Sequence, residues 1–120
     1  MKVKRLGYVR ADALNAILNG AVGYAFPSTY EGFGLPVLEA MQCGLAGVCS
    51  NASSLPEVAG DTALYFDPGD VQDISEQLET FWRDKALRER LSEAAFKRSE
   101  GFGWERAAET MADIFRGVLL

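Results

Sequence analysis

The sequence contains no histidine among its 120 residues. Histidine is the usual general base near neutral pH, the commonest metal ligand and a member of the serine triad. A histidine base, a histidine metal site and a serine triad are therefore excluded. The two cysteines, Cys43 and Cys49, are not part of any pair of Cys-x-x-Cys motifs. This pattern argues against a zinc site and against a disulfide framework. We therefore expect no metal centre.

Positive charge and long apolar runs are also scarce. The 12 lysines and arginines are outnumbered by 17 aspartates and glutamates, which gives a net charge of −5. A general nucleic-acid binder needs a basic face, so that class is not expected, although a local pocket for one small anion remains open. No apolar stretch reaches the roughly 18 residues of a membrane span, and the N-terminus has no signal-like apolar region. The sequence predicts a cytoplasmic protein.

The remaining composition is that of an ordinary soluble domain. Apolar residues make up 48% of the chain and charged residues 24%, close to the average globular protein. A chain of this length can bury about two thirds of its unfolded surface, which is enough for a core. We therefore expect 1–120 to form a single domain.

Short apolar runs alternate with helical patterns along the first seventy residues. The runs at 3–9, 22–26, 45–49 and 63–66 are predicted strands. Continuous apolar runs of this kind are typical of buried parallel strands. Helices between successive strands imply right-handed crossovers and a parallel sheet. The sequence thus predicts an α/β fold with about four short strands flanked by helices.

Capping and breaking residues place the helices. Asp12 is predicted to cap a helix that Gly20 ends. Pro36 suits the first turn of a helix that Gly44 ends. One helical turn is predicted over 55–59.

The C-terminal third is predicted to be helical, in three segments. Asp70 is expected to cap the first of them, and apolar stripes mark all three. Phe81 and Phe115 belong to these stripes. We expect them to dock helices on the sheet rather than to stack on a ligand.

The loop over 27–34 is the predicted site. It leaves the carboxyl end of a predicted strand, where parallel sheets bind ligands, and enters a helix. Gly32 and Gly34 bracket that entry and allow the backbone to approach a ligand closely. Free amides at the positive end of the helix dipole then form a seat for an anion. As a dinucleotide fingerprint the pattern is weak because the third glycine is missing, and a simple tight turn is the alternative.

Two glutamates flank this anion seat. Glu31 lies on the loop, and its alternative role is that of a solvated loop acid. Glu39 sits in an almost wholly apolar helix, so we expect a buried carboxylate, which costs several kcal/mol unless it is paired. Ribose hydroxyls could supply those hydrogen bonds. The alternatives for Glu39 are a partly exposed helix face or a backbone cap.

Several segments together resemble a known family. They resemble the E-x7-E signature and neighbouring motifs of the retaining glycosyltransferases with the GT-B fold, which include glycogen and sucrose synthases and many mannosyl- and glucosyltransferases. Glu31 and Glu39 have the spacing of the two signature glutamates. The segments that carry the resemblance are 6–9, Ser28, 31–36, 38–41, Gly44, 50–61, 66–70 and 102–104, with Gly103 where the family has serine. The resemblance covers essentially the whole chain and implies a Rossmann-like sheet.

The resemblance implies different roles for the two glutamates. Glu39 would accept hydrogen bonds from the ribose hydroxyls of a nucleotide diphosphate sugar. Glu31 would contact the hydroxyls of the transferred sugar and is the candidate catalytic residue. The donor would be a UDP-, GDP- or ADP-sugar, with no cofactor and no essential metal.

The resemblance also assigns main-chain roles. The distal phosphate and sugar would be held by the amides around four consecutive residues: Gly32, Phe33, Gly34 and Leu35. Gly7 and Val9 would border the base. Electrostatic stabilisation of the departing diphosphate is the main contribution that such a site can make to transfer.

Only part of the family's architecture is matched. Its members have two Rossmann-like domains, and this chain resembles the later part of the C-terminal, donor-binding domain. No residue matches the basic pair that clamps the diphosphate, and the N-terminal acceptor domain is absent. We therefore expect residues 1–120 to be a partial donor-binding domain that is inactive alone. The alternative is a non-catalytic nucleotide-sugar- or phosphate-binding module, or a self-associating structural fragment.

The expected partners follow from the same resemblance. They are the nucleotide-sugar donor and a sugar, lipid or other acceptor that the missing domain would bind, with no nucleic acid. A peripheral association of the longer enzyme with a membrane is left open. A homo-oligomer is also left open, because a sheet of four strands has an edge that should be covered.

Overall fold

The computed structural model describes residues 2–119, which contain a parallel sheet of three strands. The strands are β1 (Tyr24–Phe26), β2 (Gly47–Ser50) and β3 (Leu64–Phe66), in the spatial order β1-β2-β3. β2 is buried along its whole length because it has a neighbour on each side. The predicted α/β class with a parallel sheet is confirmed.

The prediction of a fourth strand over 3–9 is wrong. These residues pair with no strand in the described part of the chain, and nearly all of them are exposed. Gly7 has φ +66, whereas a parallel strand needs φ near −120°. The left-handed conformation of Gly7 interrupts the extended backbone. The charged side chains of Lys4 and Arg5 are exposed to solvent, which disfavours burial of this segment in a sheet.

Six helices occur in the described residues. They are α1 (Ala11–Gly20), α2 (Leu35–Gln42), α3 (Leu55–Ala59), α4 (Val71–Arg83), α5 (Lys85–Ser99) and α6 (Trp104–Leu119). The prediction that Asp70 caps α4 is confirmed, because its carboxylate accepts from the amides of Gln72 and Asp73 at 3.0 and 3.1 Å. The prediction that Asp12 caps α1 is wrong. The N-cap is Arg10, and Asp12 lies in the first turn, where it still complements the helix dipole.

Helices cover both faces of the sheet. On one face, Cys49 of β2 belongs to a buried cluster with Met41 of α2, Leu55 of α3 and Ala95 of α5. On the other face, a second cluster includes Val48 and Phe66 of the strands, Phe81 of α4 and Leu91 of α5. Val48 and Cys49 are consecutive and point to opposite faces, as the period of a strand requires. The first cluster lies directly under the loop that enters α2.

The docking prediction is confirmed for Phe81 and wrong for Phe115. Phe81 is 5% exposed, whereas Phe115 is 58% exposed, and α6 contains no buried residue among those described. The two faces of the sheet are already covered by the other helices, so the apolar stripe of α6 finds no surface in residues 2–119. None of the helices in these residues is both long and apolar enough to cross a membrane.

Candidate functional site

The loop between β1 and α2 presents main-chain amides at the start of the helix. Gly34 is the N-cap of α2 in the left-handed conformation, with φ 98 and ψ 43. The amides of Gly32, Phe33, Gly34 and Leu35 have no hydrogen-bond acceptor within residues 2–119. Gly32, Phe33 and Leu35 are exposed, whereas Gly34 is buried. Unpaired amides at the positive end of a helix can bind an anionic group.

Gly34 also has a packing role that the sequence did not indicate. A Cβ added at this position would lie 2.8 Å from Cδ2 of Leu55. The backbone therefore passes closely over a fully buried core residue of α3, in a conformation that side chains rarely adopt. At Gly32, by contrast, an added Cβ would meet no atom within 4 Å. Gly34 is thus packed against the core, whereas Gly32 faces solvent.

Two serines of the turn before α3 form hydrogen bonds with the backbone of the loop. Ser53 Oγ donates to the carbonyl oxygen of Glu31 at 2.6 Å and accepts from the Glu31 amide at 3.2 Å. Ser54 Oγ lies 3.0 Å from the same carbonyl oxygen and 2.8 Å from that of Phe33. Because a hydroxyl has a single proton, Ser54 donates to one of these two acceptors at a time. The loop is therefore fixed by contacts between residues far apart in the sequence.

The side chain of Glu31 has a local partner. Ser28 Oγ lies 3.0 Å from Oε1 of Glu31 and 3.0 Å from the carbonyl oxygen of Tyr30. Glu31 is half-buried at this position. A donor at this distance can orient the carboxylate and leaves its other oxygen available to accept from a ligand hydroxyl.

Glu39 is exposed, so the expectation of a buried carboxylate is wrong. α2 buries Val37, Leu38, Ala40 and Met41, and the helical period of about 100° per residue places position 39 opposite Val37 and Met41. The side chain lines a cavity of about 250 Å³ between α1 and α2. No residue of 2–119 forms a hydrogen bond or an ion pair with its carboxylate in the structure. The carboxylate therefore faces open space and is free to accept hydrogen bonds.

The wall opposite Glu39 comes from α1. Leu14, Asn15 and Leu18 line the cavity on that side. Asn15 also links the two helices, because its Oδ1 accepts from the thiol of Cys43 at 3.3 Å. The cavity thus combines an apolar wall with a few polar groups.

The structure brings together only some of the predicted site residues. Gly32, Phe33 and Leu35 are exposed around the start of α2, Gly34 is buried between them, and Glu31 precedes them in the loop. Glu39 lines the cavity, and Glu31 does not. Gly7 and Val9 lie in the segment that leads into α1, and neither lines the cavity, although the first residue of α1 does.

Sequence reasoning missed the contacts that hold the loop in place. Ser53 and Ser54 lie in a stretch that contributed to the family resemblance, but no role was assigned to them. Phe102, in another matched segment, packs against Phe33. Hydrogen bonds between residues more than twenty positions apart produce no local spacing pattern in a sequence. The only indication of these contacts was that the segments containing Glu31, Ser53 and Phe102 all match the same family.

A titratable cluster lies in the core behind the loop. Burial raises the pKa of the Cys49 thiol to about 12, and burial, followed by the nearby Cys49, raises the pKa of Tyr65 to about 12. The same causes raise the pKa of Tyr24 well above its usual value. These groups stay protonated at neutral pH and do not supply a base. Within residues 2–119 no group of three or more histidine, cysteine, aspartate or glutamate side chains is arranged to hold a metal ion.

The comparisons with known proteins identify the family. Residues 1–98 match the family model of the glycosyl transferases group 1. The chain belongs to this family. It is 40% identical over 114 residues to the O-antigen chain mannosyltransferase B of Escherichia coli, covering 95% of this chain and 30% of that protein.

Two further relatives support the same assignment. The sulfoquinovosyl transferase SQD2 of Arabidopsis thaliana is 36% identical over 109 residues, covering 87% of this chain and 21% of the relative. The structure of sucrose-phosphate synthase from Thermosynechococcus elongatus superposes with a TM-score of 0.83 at 26% identity, covering 95% of this chain and 29% of that one. The chain spans less than a third of the length of these relatives.

Proposed function

We propose that this chain is the nucleotide-sugar-binding part of a retaining glycosyltransferase that moves a hexosyl group from a nucleotide diphosphate sugar to an acceptor. The observation that carries the proposal is the set of unpaired amides from Gly32 to Leu35 at the start of α2. Amides in this position offer several donors to one anionic group at a helix N-terminus. In the proposed complex they bind the distal phosphate and the sugar of the donor.

The exposure of Glu39 in the cavity between α1 and α2 supports the proposed contact with ribose. A carboxylate is an acceptor-only group, and a ribose presents two neighbouring hydroxyl donors. Glu39 faces the cavity between α1 and α2 without a protein partner in the described residues. The nucleoside would occupy this cavity, with the segment containing Gly7 and Val9 near the base. Hydrogen bonds to a charged acceptor are stronger than those between neutral groups.

Glu31 is the proposed catalytic residue. It immediately precedes Gly32 in the loop, and Ser28 Oγ lies within hydrogen-bond distance of one of its carboxylate oxygens, at 3.0 Å. In the proposed role the other oxygen accepts hydrogen bonds from hydroxyls of the transferred sugar. These bonds keep the sugar in a fixed orientation relative to the diphosphate. The amides then stabilise the negative charge that develops on the leaving diphosphate, as its bond to the anomeric carbon breaks and the acceptor oxygen bonds to that carbon.

The acceptor and the remaining catalytic groups would come from a second domain. The relatives are more than three times as long as this chain. We therefore propose donor binding, rather than transfer, as the activity of this chain alone. The free thiols Cys43 and Cys49 favour a reducing compartment, and we propose the cytoplasm.

The proposal is tested by calorimetric titration of the full chain with UDP-glucose, GDP-mannose and ADP-glucose. We expect saturable binding of at least one donor, and competition by the matching nucleoside diphosphate. The corresponding nucleoside without phosphates should bind much more weakly, because it lacks the group that the amides bind. The absence of heat with all three donors at millimolar concentration would favour a structural fragment over a binding domain.

A further inference from the structure

The turn before α3 is unusual because it contains a left-handed serine. Ser53 has φ 60 and is the only residue other than glycine with positive φ among the described positions. A residue with a Cβ adopts this region at a cost in free energy. In this conformation its hydroxyl meets both the carbonyl oxygen and the amide of Glu31. The strained backbone of Ser53 therefore occurs at a residue that forms two hydrogen bonds with the loop of the proposed site.

The hydrogen bonds of the two serines determine which way the neighbouring amides point. A trans peptide is planar, and its C=O and N–H groups point in opposite directions. The Glu31 carbonyl points at Ser53 and Ser54, so the Gly32 amide points away from them. The Phe33 carbonyl points at Ser54, so the Gly34 amide also points away from that turn. No cis peptide bond interrupts this relation in the described residues.

The turn itself is fixed to the core. Ser54 is the N-cap of α3, and Arg98 of α5 binds the other end of this helix. The Arg98 guanidinium donates to the carbonyl oxygens of Glu57 and Val58, both at 2.8 Å. A cation at the C-terminus of a helix satisfies carbonyls that have no partner within the helix. The serines thus lie directly before a short helix whose C-terminal end is bound by Arg98.

We propose that Ser53 and Ser54 are positioning residues of the donor site, which orient the amides of Gly32 and Gly34 toward the diphosphate. This inference rests on the proposed function, because the amides need an anionic ligand for their orientation to matter. The serines do not touch the donor. They act through the two carbonyls that they hold, so their loss should weaken donor binding without removing any group that contacts the ligand.

Three single variants and the Ser53→Gly, Ser54→Ala double variant test this role, with one further variant as a control. Ser54→Ala removes the hydroxyl shared by the Glu31 and Phe33 carbonyls, and Ser54→Thr retains a hydroxyl. Ser53→Gly removes the hydroxyl of Ser53 and suits the left-handed backbone, so it is expected to fold. Ser75→Ala, at an exposed position of α4, is the matched control.

The first measurement is the affinity for whichever of UDP-glucose, GDP-mannose and ADP-glucose the wild-type chain binds. We expect Ser54→Ala and Ser53→Gly to weaken binding about tenfold each. We expect Ser54→Thr to restore affinity to within about threefold of wild type, and Ser75→Ala to leave it unchanged. Denaturant unfolding of each variant separates a loss of affinity from a loss of fold. A folded Ser53→Gly, Ser54→Ala double variant that binds within twofold of wild type would overturn the proposal.

The second measurement does not need a donor. Backbone amide relaxation and hydrogen exchange report the order of the loop directly. We expect the double variant to show lower order parameters at Gly32 and Gly34 and faster exchange of the Glu31 amide, while Ser75→Ala matches wild type. If wild type binds none of the three donors, the proposed function fails, and the orienting role then depends on this measurement alone. Unchanged order at both glycines would overturn that role.

Discussion

The rings of Phe33 and Phe102 meet edge to face, with 6.0 Å between their centroids and 86° between their planes. Phe33 belongs to the loop of the candidate site, and Phe102 lies between α5 and α6 and packs against the core cluster beneath α2. The contact therefore joins the outer side of the loop to the far end of the chain. It adds to the hydrogen bonds that the two serines of the turn before α3 form with the loop.

This aromatic pair should contribute a measurable coupling energy. We expect Phe33→Leu and Phe102→Leu each to lower the free energy of unfolding. Their double-mutant cycle should give a coupling of about 0.5–1.5 kcal/mol, the value typical of edge-to-face pairs. Denaturant unfolding of the two single variants and the double variant provides the measurement.

Phe96 serves as the control for this cycle. It is half-exposed on α5, and no aromatic pair that includes it is found within residues 2–119. A cycle of Phe33→Leu with Phe96→Leu should be additive to within about 0.5 kcal/mol. Additivity in the Phe33–Phe102 cycle as well would show that this contact contributes nothing specific.

The substitution Glu39→Gln should separate binding from stability. Glu39 is exposed and makes no contact with a polar partner in the described residues, so we expect the free energy of unfolding to change by less than about 0.5 kcal/mol. Loss of a charged acceptor should weaken donor binding by about 1.5–3 kcal/mol, or roughly ten- to a hundred-fold. Calorimetric titration and thermal melts measure the two effects.

A matched glutamate provides the control for Glu39. Glu93 is exposed on α5 and lies outside the cavity. Glu93→Gln removes the same charge from the chain, so it reproduces any effect of net charge on an anionic donor. A loss of affinity of the same size in both variants would mean that Glu39 has no direct role at the ribose.

The two glycines of the loop should respond in opposite ways to substitution. Gly34→Ala should lower the free energy of unfolding by about 1–2 kcal/mol, because φ is 98 and the Cβ would meet Leu55. Gly32→Val adds a side chain in open space, so stability should change by less than about 0.5 kcal/mol. The valine should nevertheless obstruct access to the neighbouring amides and weaken donor binding about tenfold or more.

The measurement for both glycine variants is unfolding combined with donor titration. Gly32→Ala is the smaller control, and its affinity should lie between those of wild type and Gly32→Val. A Gly32→Val variant that is folded and binds with wild-type affinity would exclude the amide surface as the phosphate site. Gly34 is unsuitable for that question, because its substitution disturbs the core as well as the loop.

Local rules predicted the elements that position the site. Pro36 at the start of α2, the left-handed Gly44 after its end and the Asp70 cap of α4 act within a few residues. Such signals are visible in a sequence because they depend on the backbone conformation of single residues. They were sufficient to place the loop at the carboxyl end of a strand and at the start of a helix.

Long-range packing decided what the sequence did not predict. The composition of α2 suggested a buried Glu39, but the helix has one side facing the cavity instead of the core. The stripe containing Phe115 has the helical period and is nevertheless exposed, and α6 contains no buried residue among those described. Periodicity shows which residues share a face, and tertiary contacts decide whether that face is covered.

Alkaline pH should destabilise the fold through the buried cluster behind the loop. The pKa of Cys49 is raised from 9.0 to about 12 and that of Tyr65 from 10.0 to about 12, mainly by burial. Above pH 9 the unfolded chain loses these protons while the folded chain keeps them. The unfolded state then binds fewer protons, so the free energy of unfolding falls as pH rises from about 9 to about 12.

Substitution of Cys49 measures how much this residue contributes to the loss of stability at alkaline pH. One such group changes the free energy of unfolding by up to about 1.4 kcal/mol per pH unit. Denaturant unfolding at pH 8, 9 and 10 should show a decline in wild type and a weaker decline in Cys49→Ala. Cys43→Ala, at a half-exposed thiol, is the matched control for the removal of a thiol. Equal slopes in wild type and Cys49→Ala would contradict the assignment, because tyrosine ionisation alone would then account for the decline.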